Sequence, residues 1–449
     1  MLRTIDLRGR ALTPAELLAT VPRATAARQE AFEVAAHIVD DVAERGEAAL
    51  REQAERFDGA VDHDIRVPES HLDEALEALD PAVRAALEQA IARVREASAA
   101  QVPAPVVTEL GPGARVLQRW QPVRRVGLYV PGGKAVYPSS VVMNVVPAQV
   151  AGVAEIALAS PPQREFGGRV HPVILGAAKL LGVTEVYAMG GAGAIGALAH
   201  GVPALGLAPV DVVTGPGNNF VAAAKRAVAG LVGTDAEAGA TEILIVADDS
   251  ADPRLVAADL ISQAEHDEQA SAVLVTTSER LARDVLDAIA PRAAVTRHAE
   301  RVAAALAGPQ SAVVLVDDLA TATAFSNAYA PEHLELHLED PRADEFVHAG
   351  AVFVGPDSPV SLGDYLAGSN HVLPTGGQAR YSSGLSAATF LRPQQVIEYD
   401  RAALAEVRDA IVTLAEAEAL PAHGEAVTAR FDAASDSPAG AAPEAGVPA

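Results

Sequence analysis

Arg125-Val-Gly-Leu-Tyr-Val130 is the stretch on which the fold turns. It is short and apolar at successive rather than alternate positions, so it reads as a strand buried on both faces, the habit of parallel sheets. Pro131-Gly-Gly-Lys-Ala-Val-Tyr-Pro138 follows as a loop. Working outward, 141–151 reads as helix, Glu155-Ile-Ala-Leu-Ala-Ser160 as strand, 170–181 as helix and 185–189 as strand. Then come 194–200 as helix, Val210-Asp-Val-Val-Thr214 as strand and 218–232 as helix. Strands alternating with helices at these intervals describe a parallel α/β sheet. Such sheets bind ligands at the carboxyl ends of their strands.

A second series repeats the pattern. Glu242-Ile-Leu-Ile-Val-Ala247 is a strand, 254–265 a helix, Ala272-Val-Leu-Val-Thr276 a strand and 278–290 a helix. Ala312-Val-Val-Leu-Val316 is a strand, 319–328 a helix, and Val352-Phe-Val354 closes the region. Upstream, Thr13-Pro14-Ala15-Glu16 is a helix start with Pro at the first position. Residues 26–57 read as a second helix stopped by Gly59, with further helices from Pro68 and from Pro81 through Val94. Past Phe390 the chain is helical again over 402–414, and the Ala/Pro/Gly/Ser tail from Asp432 is too poor in apolar bulk to fold.

At 449 residues the chain is too long for one small core. A hydrophobic content of 50% and charged content of 21% describe an ordinary globular protein. The net charge of −25 repels phosphate, which argues against nucleic acid and anionic membranes as partners. With no cysteine there is no disulfide, thiolate nucleophile or Cys-type zinc site, so any metal needs His, Asp, Glu or amide oxygen. The N-terminus lacks the apolar core of a signal peptide, and a cytoplasmic protein is expected. Residues 186–210 carry no Asp, Glu, Lys or Arg beyond their flanks, but their glycines and prolines break them into strand, turn, short helix and loop rather than a membrane span.

Four groups of residues carry chemistry. Gly191-Ala-Gly193-Ala-Ile-Gly196 matches the dinucleotide fingerprint, with Asp211 at the distance of the ribose-binding acid. Asp211 falls at the start of its strand rather than the end, and the glycines equally suit packing and turns. Thr214-Gly-Pro-Gly-Asn-Asn-Phe220 is a second Gly-rich turn, leading into a helix with Lys225, whose backbone amides suit a phosphate or an adenine. Glu332 and His333 follow Pro331, which should hold Ala330 extended, and stand together at the mouth of a strand. An acid beside an imidazole is a proton-transfer pair near neutral pH. Gln263, His266, Asp364, His371 and His423 offer amide, carboxylate and imidazole donors suited to zinc where thiolates are lacking. A competing metal reading uses the row His333, Glu335 and His337, which share one strand face but project in parallel.

The chain resembles the L-histidinol dehydrogenase family over roughly residues 20–430. The resemblance rests on Val126-Gly-Leu-Tyr-Val-Pro-Gly-Gly-Lys-Ala-Val-Tyr-Pro-Ser-Ser140, Gly215-Pro-Gly-Asn218, Gln263-Ala-Glu-His266, Tyr329-Ala-Pro-Glu-His-Leu334, Gly363-Asp-Tyr365 and Ser369-Asn-His-Val-Leu-Pro-Thr375. It implies an α/β architecture of two Rossmann-like parallel-sheet domains, incomplete and related, with small helical N- and C-terminal parts. The expected division is an N-terminal segment 1–25; a first α/β domain from 26–119 with 239–385; a second, NAD-side domain 120–238; a helical dimerisation segment 386–431; and a disordered tail 432–449.

The resemblance also implies a zinc ion in each subunit held by Gln263, His266, Asp364 and His423, and NAD against Tyr129, Gly193 and Asn218. Substrate would meet Thr241, Gln263, His266, His333, Asp364, His371, Glu418 and His423. Glu418 and His423 would reach the neighbouring subunit of a homodimer. Glu332 and His333 would be the catalytic pair in a four-electron oxidation of L-histidinol to L-histidine through L-histidinal. His333 would take the alcohol proton, and Glu332 would activate water. Gly193 departs from the family's Gly-Gly-Ala-Gln, so restoring Gln there is expected to lower the KM for NAD. Ala240-Thr241-Glu242 stands where Pro-Ser-Glu is usual, and Thr241 keeps the hydroxyl. The alternatives are a zinc/NAD dehydrogenase of another amino- or sulfo-alcohol, and a catalytically silent NAD- or metabolite-binding relative.

Overall fold

The computed structural model describes residues 2–23, 28–132, 136–236 and 239–432, so residues 133–135 of the loop after Val130 and the tail beyond 432 lie outside the described residues. In chain order its strands are β1 (Arg3–Asp6), β2 (Val106–Gly111), β3 (Ala114–Pro122), β4 (Arg125–Tyr129), β5 (Glu155–Ser160), β6 (Glu185–Ala188) and β7 (Val212–Thr214). They continue with β8 (Gly233–Thr234), β9 (Glu242–Ala247), β10 (Ser271–Thr276), β11 (Ala312–Leu315), β12 (His333–His337), β13 (Ala351–Val354) and β14 (Leu391–Tyr399).

The Arg125–Val130 run supplies the middle strand of a five-stranded sheet ordered β6-β5-β4-β7-β8, parallel throughout. Every residue of β4 is buried, Arg125 included. Arg125 tolerates this because its guanidinium pairs with Glu155 at 3.1 Å and Glu185 at 2.5 Å. The second series makes a six-stranded parallel sheet ordered β1-β11-β10-β9-β12-β13. Numbered within each series, both sheets read 3-2-1-4-5, the Rossmann order, with β1 added outside β11 in the larger one. Two incomplete, related Rossmann-like domains are therefore present.

The all-apolar strands follow from burial on both sides. Along β9, Ile243, Ile245 and Ala247 join the cluster of Val256 and Leu260, while Leu244 and Val246 join Phe325, Tyr329, Leu334 and Leu336 on the opposite face.

By internal contacts the chain divides into one unit of residues 1–102 with 122–391 and a second of 103–121 with 392–449. Both parallel sheets lie in the first. The second contains the sheet ordered β14-β3-β2 and the helices Arg401–Ala417 and Pro421–Thr428. The 386–431 segment is thus not wholly helical, since it contributes β14. The 1–25 segment contributes β1. The 26–57 stretch is broken at Gly46, whose φ of +56° favours glycine, into Arg28–Arg45 and Glu47–Gln53. Ala31, Ala35, Val39, Val42, Ala49 and Leu50 pack in the core of the five-stranded sheet, with Ile195 and Leu198. These helices therefore pack with the 120–238 part, whereas the sequence reading grouped them with 239–385. No helix among the described residues is long and apolar enough to cross a membrane.

Candidate active site

The helix Leu319–Tyr329 ends two residues before Pro331. Ala330 is left-handed, at φ +50°, rather than extended as expected. Its N–H still closes the helix on Ser326 O at 2.7 Å, so the reversal toward β12 is made at this residue. A non-glycine residue in that region costs about 1 kcal/mol. Arg23 holds the turn: Nη2 donates to the carbonyls of Tyr329 and Ala330, and the guanidinium lies 4.0 Å over the Tyr329 ring. Arg23 also pairs at 2.6 Å with the buried Glu242 at the start of β9.

That turn delivers Glu332 and His333 to the amino edge of the six-stranded sheet, both buried. Glu332 Oε2 accepts from Thr241 Oγ1 at 2.6 Å and from Glu242 N at 2.9 Å. Burial is the largest influence on this carboxyl and pushes it up to about 7, against the opposing pull of His333 and the Thr241 hydroxyl. His333 Nδ1 lies 3.1 Å from Glu242 O. A carbonyl can only accept, so Nδ1 carries the proton and Nε2 of the neutral ring is left as a base. Pair geometry agrees: Nδ1 stands 3.6 Å from Glu332 Oε2.

Thr241 links this pair to a second group. Its hydroxyl donates to Glu332 and accepts from Gln263 Nε2 at 2.7 Å. The Gln263 carboxamide is thereby oriented with Oε1 buried and unpartnered. Gln263 and His266 lie at the end of the helix Pro253–Ala264 and just past it. Burial lowers the His266 pKa, Asp364 raises it and His333 lowers it, so both of these neighbours act on it at short range. His371 is likewise lowered by burial, with the same Asp364, His333 and His266 acting on it. Its ring is fixed at both nitrogens, Nδ1 to Asp364 O at 2.9 Å and Nε2 to Ser140 Oγ at 3.0 Å. Thr241, Gln263, His266, Glu332, His333, Asp364 and His371 therefore share one neighbourhood. An orphaned buried amide oxygen beside an imidazole and a carboxylate, in a chain without thiols, fits a zinc ion.

Ser140 had no assigned role in the sequence. It stands in the first turn of the helix Pro138–Ala151, which follows β4 at its carboxyl end, so the amino edge of one sheet meets the carboxyl edge of the other at the His371–Ser140 bond. At that carboxyl edge Tyr129 Oη accepts from Gly191 N at 3.2 Å. Burial pushes the Tyr129 hydroxyl up to about 12, keeping it protonated. Asn218 caps the helix Asn219–Ala227, accepting from Phe220 N and Val221 N. The Gly191–Gly196 fingerprint follows β6, the third strand of its series, rather than the first, where a Rossmann phosphate loop belongs. Asp211 is spent on the backbone N–H groups of Arg124 and Arg125 at 2.9 and 3.0 Å. Lys225 is buried, donating to Gly215 O at 2.5 Å and paired with Asp235, so it clamps the Gly215 turn.

Glu418 and His423 lie in the smaller unit, both exposed. Glu418 ends the helix Arg401–Ala417, and His423 stands in the first turn of Pro421–Thr428.

The His333, Glu335, His337 row does share a face, but His333 turns to Glu242 and Glu332. Asp259 joins the other two, with ligand atoms within 4.8 Å of one another. This group, buried at Glu335 and His337 and partly so at Asp259, closes on itself: Glu335 accepts from Val360 N at 2.8 Å and faces His337 Nε2 at 3.3 Å. Burial, then the Glu335 charge, push the Asp259 carboxyl up to about 7.

A family model described as histidinol dehydrogenase matches residues 21–431. The chain belongs to the histidinol dehydrogenase family. It is 67% identical over 433 residues to the histidinol dehydrogenase of Leifsonia xyli subsp. xyli, covering 96% of this chain and 99% of that one. It is 58% identical over 429 residues to that of Thermobifida fusca, covering 95% and 97%. Among solved structures, histidinol dehydrogenase from Elizabethkingia anophelis superposes with a TM-score of 0.88 at 33% identity, covering 96% of this chain and 98% of that one. Family membership and that superposition agree with an architecture of two Rossmann-like domains.

Proposed function

We propose that this chain is an L-histidinol dehydrogenase that oxidises L-histidinol to L-histidine through L-histidinal, with two NAD used in succession. The observation that carries the reading is Thr241, whose one hydroxyl joins the Glu332–His333 pair to the unpartnered Gln263 oxygen. This link supports a site in which proton transfer and metal binding work side by side.

Gln263, His266 and Asp364, with His423 of the partner subunit, would hold zinc, which would serve to position the substrate's amine and imidazole, and Tyr129, Gly193 and Asn218 would line the edge for NAD, which would supply the hydride acceptor. The remaining work belongs to the chain. His333 Nε2 removes the alcohol proton, which an alcohol losing hydride must surrender. The Nδ1–H bond to Glu242 O keeps Nε2 in the basic tautomer. Glu332 then takes a proton from the water that adds to the aldehyde, for which a carboxyl near 7 is matched to neutral pH. Sign matters here: a carboxyl acts as base only when ionised, so aldehyde oxidation rises as pH climbs through about 7. His371, locked at both nitrogens, and Glu418 of the partner subunit contact the substrate, and the enzyme works as a cytoplasmic homodimer.

The test is direct. Purified protein supplied with zinc, NAD and L-histidinol should yield L-histidine by amino-acid analysis; no NAD reduction with histidinol would overturn the reading.

A further inference from the structure

Gly193 lies in the first turn of the helix Gly191–His200, at the carboxyl edge of the five-stranded sheet. A Cβ built on Gly193 would overlap Gln53 Oε1, and Leu50 Cδ2 would stand 3.4 Å from it. The space a side chain at 193 would take is therefore already filled, from another element. Gln53 ends the helix Glu47–Gln53, and a single π-turn, Ala54–Asp58, follows at once. Such turns re-aim side chains and are frequent at functional sites.

The Gln53 carboxamide is left with a want. Its Nε2 is buried and has no protein acceptor. Buried amide N–H groups are almost always paired, and an orphan calls for a partner that the protein does not supply. A second orphan sits on the same edge: Ser160 Oγ, almost wholly buried at the carboxyl end of β5, has no partner either. On that edge too, Tyr129 Oη accepts from Gly191 N, which leaves its own proton to donate. An amide and two hydroxyls along the sheet edge where a helix starts make a donor-rich lining suited to a ligand rich in oxygen acceptors.

We propose that Gln53 contacts the bound dinucleotide, its Nε2 donating to a cofactor oxygen from the space above Gly193. The proposal rests on the reading that the chain uses NAD. The bare Cα at 193 is then the complement of Gln53 rather than a loss. It reverses the expectation that Gly193→Gln improves the site: a side chain at 193 must push the Gln53 carboxamide, and its donor, out of place.

The test uses the zinc-loaded full-length protein and titrates NADH by fluorescence, with KM for NAD and for histidinol measured alongside. Gln53→Ala should weaken NADH binding about three- to tenfold, the loss of one hydrogen bond, and leave the histidinol KM within about twofold. Gln53→Glu, of the same size but without the donor, should weaken it at least as much. Gly193→Gln alone should also weaken binding, and Gln53→Ala with Gly193→Gln should recover wild-type affinity to within about threefold. NADH binding unchanged in both Gln53 variants, or tightened by Gly193→Gln alone, overturns the proposal while leaving the use of NAD intact. A wild-type protein that binds no NADH overturns the underlying reading instead. Matching thermal melts for the variants exclude misfolding as the cause.

Discussion

Replacing Thr241 by valine keeps volume and branching but removes the hydroxyl that joins the two halves of the site. Glu332 then keeps the Glu242 N–H at 2.9 Å and loses the 2.6 Å donor. A hydrogen bond to a charged group contributes about 1.5–3 kcal/mol, and one pKa unit corresponds to about 1.4 kcal/mol. The lost donor favoured the ionised form, so the carboxyl should rise from about 7 by roughly one to two units. At pH 7 the ionised fraction of Glu332 would fall from about half to roughly a tenth or less. The assay is kcat against pH with L-histidinal as substrate, which isolates the step that needs Glu332 as base. The valine variant should be at least about fivefold slower at pH 7, with its inflection moved alkaline and much of the rate regained there. Thr241→Ser should behave as wild type. Because Gln263 Nε2 also loses its acceptor, zinc content is measured in parallel. An inflection unmoved in a zinc-replete valine variant would refute the reasoning.

Other consequences follow from the same geometry. Arg23→Met strands the buried Glu242 and should lower stability in urea by about 3–5 kcal/mol at neutral pH. Burial raises the Glu242 pKa, so the deficit should shrink as acid neutralises it; a loss under about 1 kcal/mol at neutral pH would contradict this. His337→Leu leaves Asp259 and Glu335 facing each other and should cost about 3 kcal/mol with zinc content unchanged by elemental analysis. His266→Asn should do the converse and lose zinc; zinc retained there, or lost in His337→Leu, would place the metal elsewhere.

The sheets were legible because both faces of each are covered: β4 and β9 are apolar at successive positions, and no amphipathic helix matches such short runs. What escaped the sequence lay at edges. The β1 strand is four residues long with no buried side chain in its pattern, and nothing in Arg3-Thr-Ile-Asp6 distinguishes it from a leader. The β2–β3 hairpin, turning near Gly113 with its φ of +74°, is exposed or half-buried almost throughout and so has no apolar period to read. The carboxyl-end rule pointed to the edge holding Tyr129 and Asn218 but not to Glu332 and His333, which sit at the amino edge of the other sheet. Only the juxtaposition of two edges brings them within reach, and no local pattern encodes it. Ala330 shows the same limit. Pro331 argues for extended backbone before it, yet closing the helix on Ser326 and the grip of Arg23, some 300 positions away in sequence, decide otherwise.

The central claim is that one site carries an alcohol through an aldehyde to an acid, with His333 serving the first proton and Glu332 the water. Counting NADH formed per L-histidinol consumed, at limiting histidinol with zinc and excess NAD, tests it most directly. Two NADH with L-histidine as product is the predicted result; one NADH with aldehyde released would contradict it.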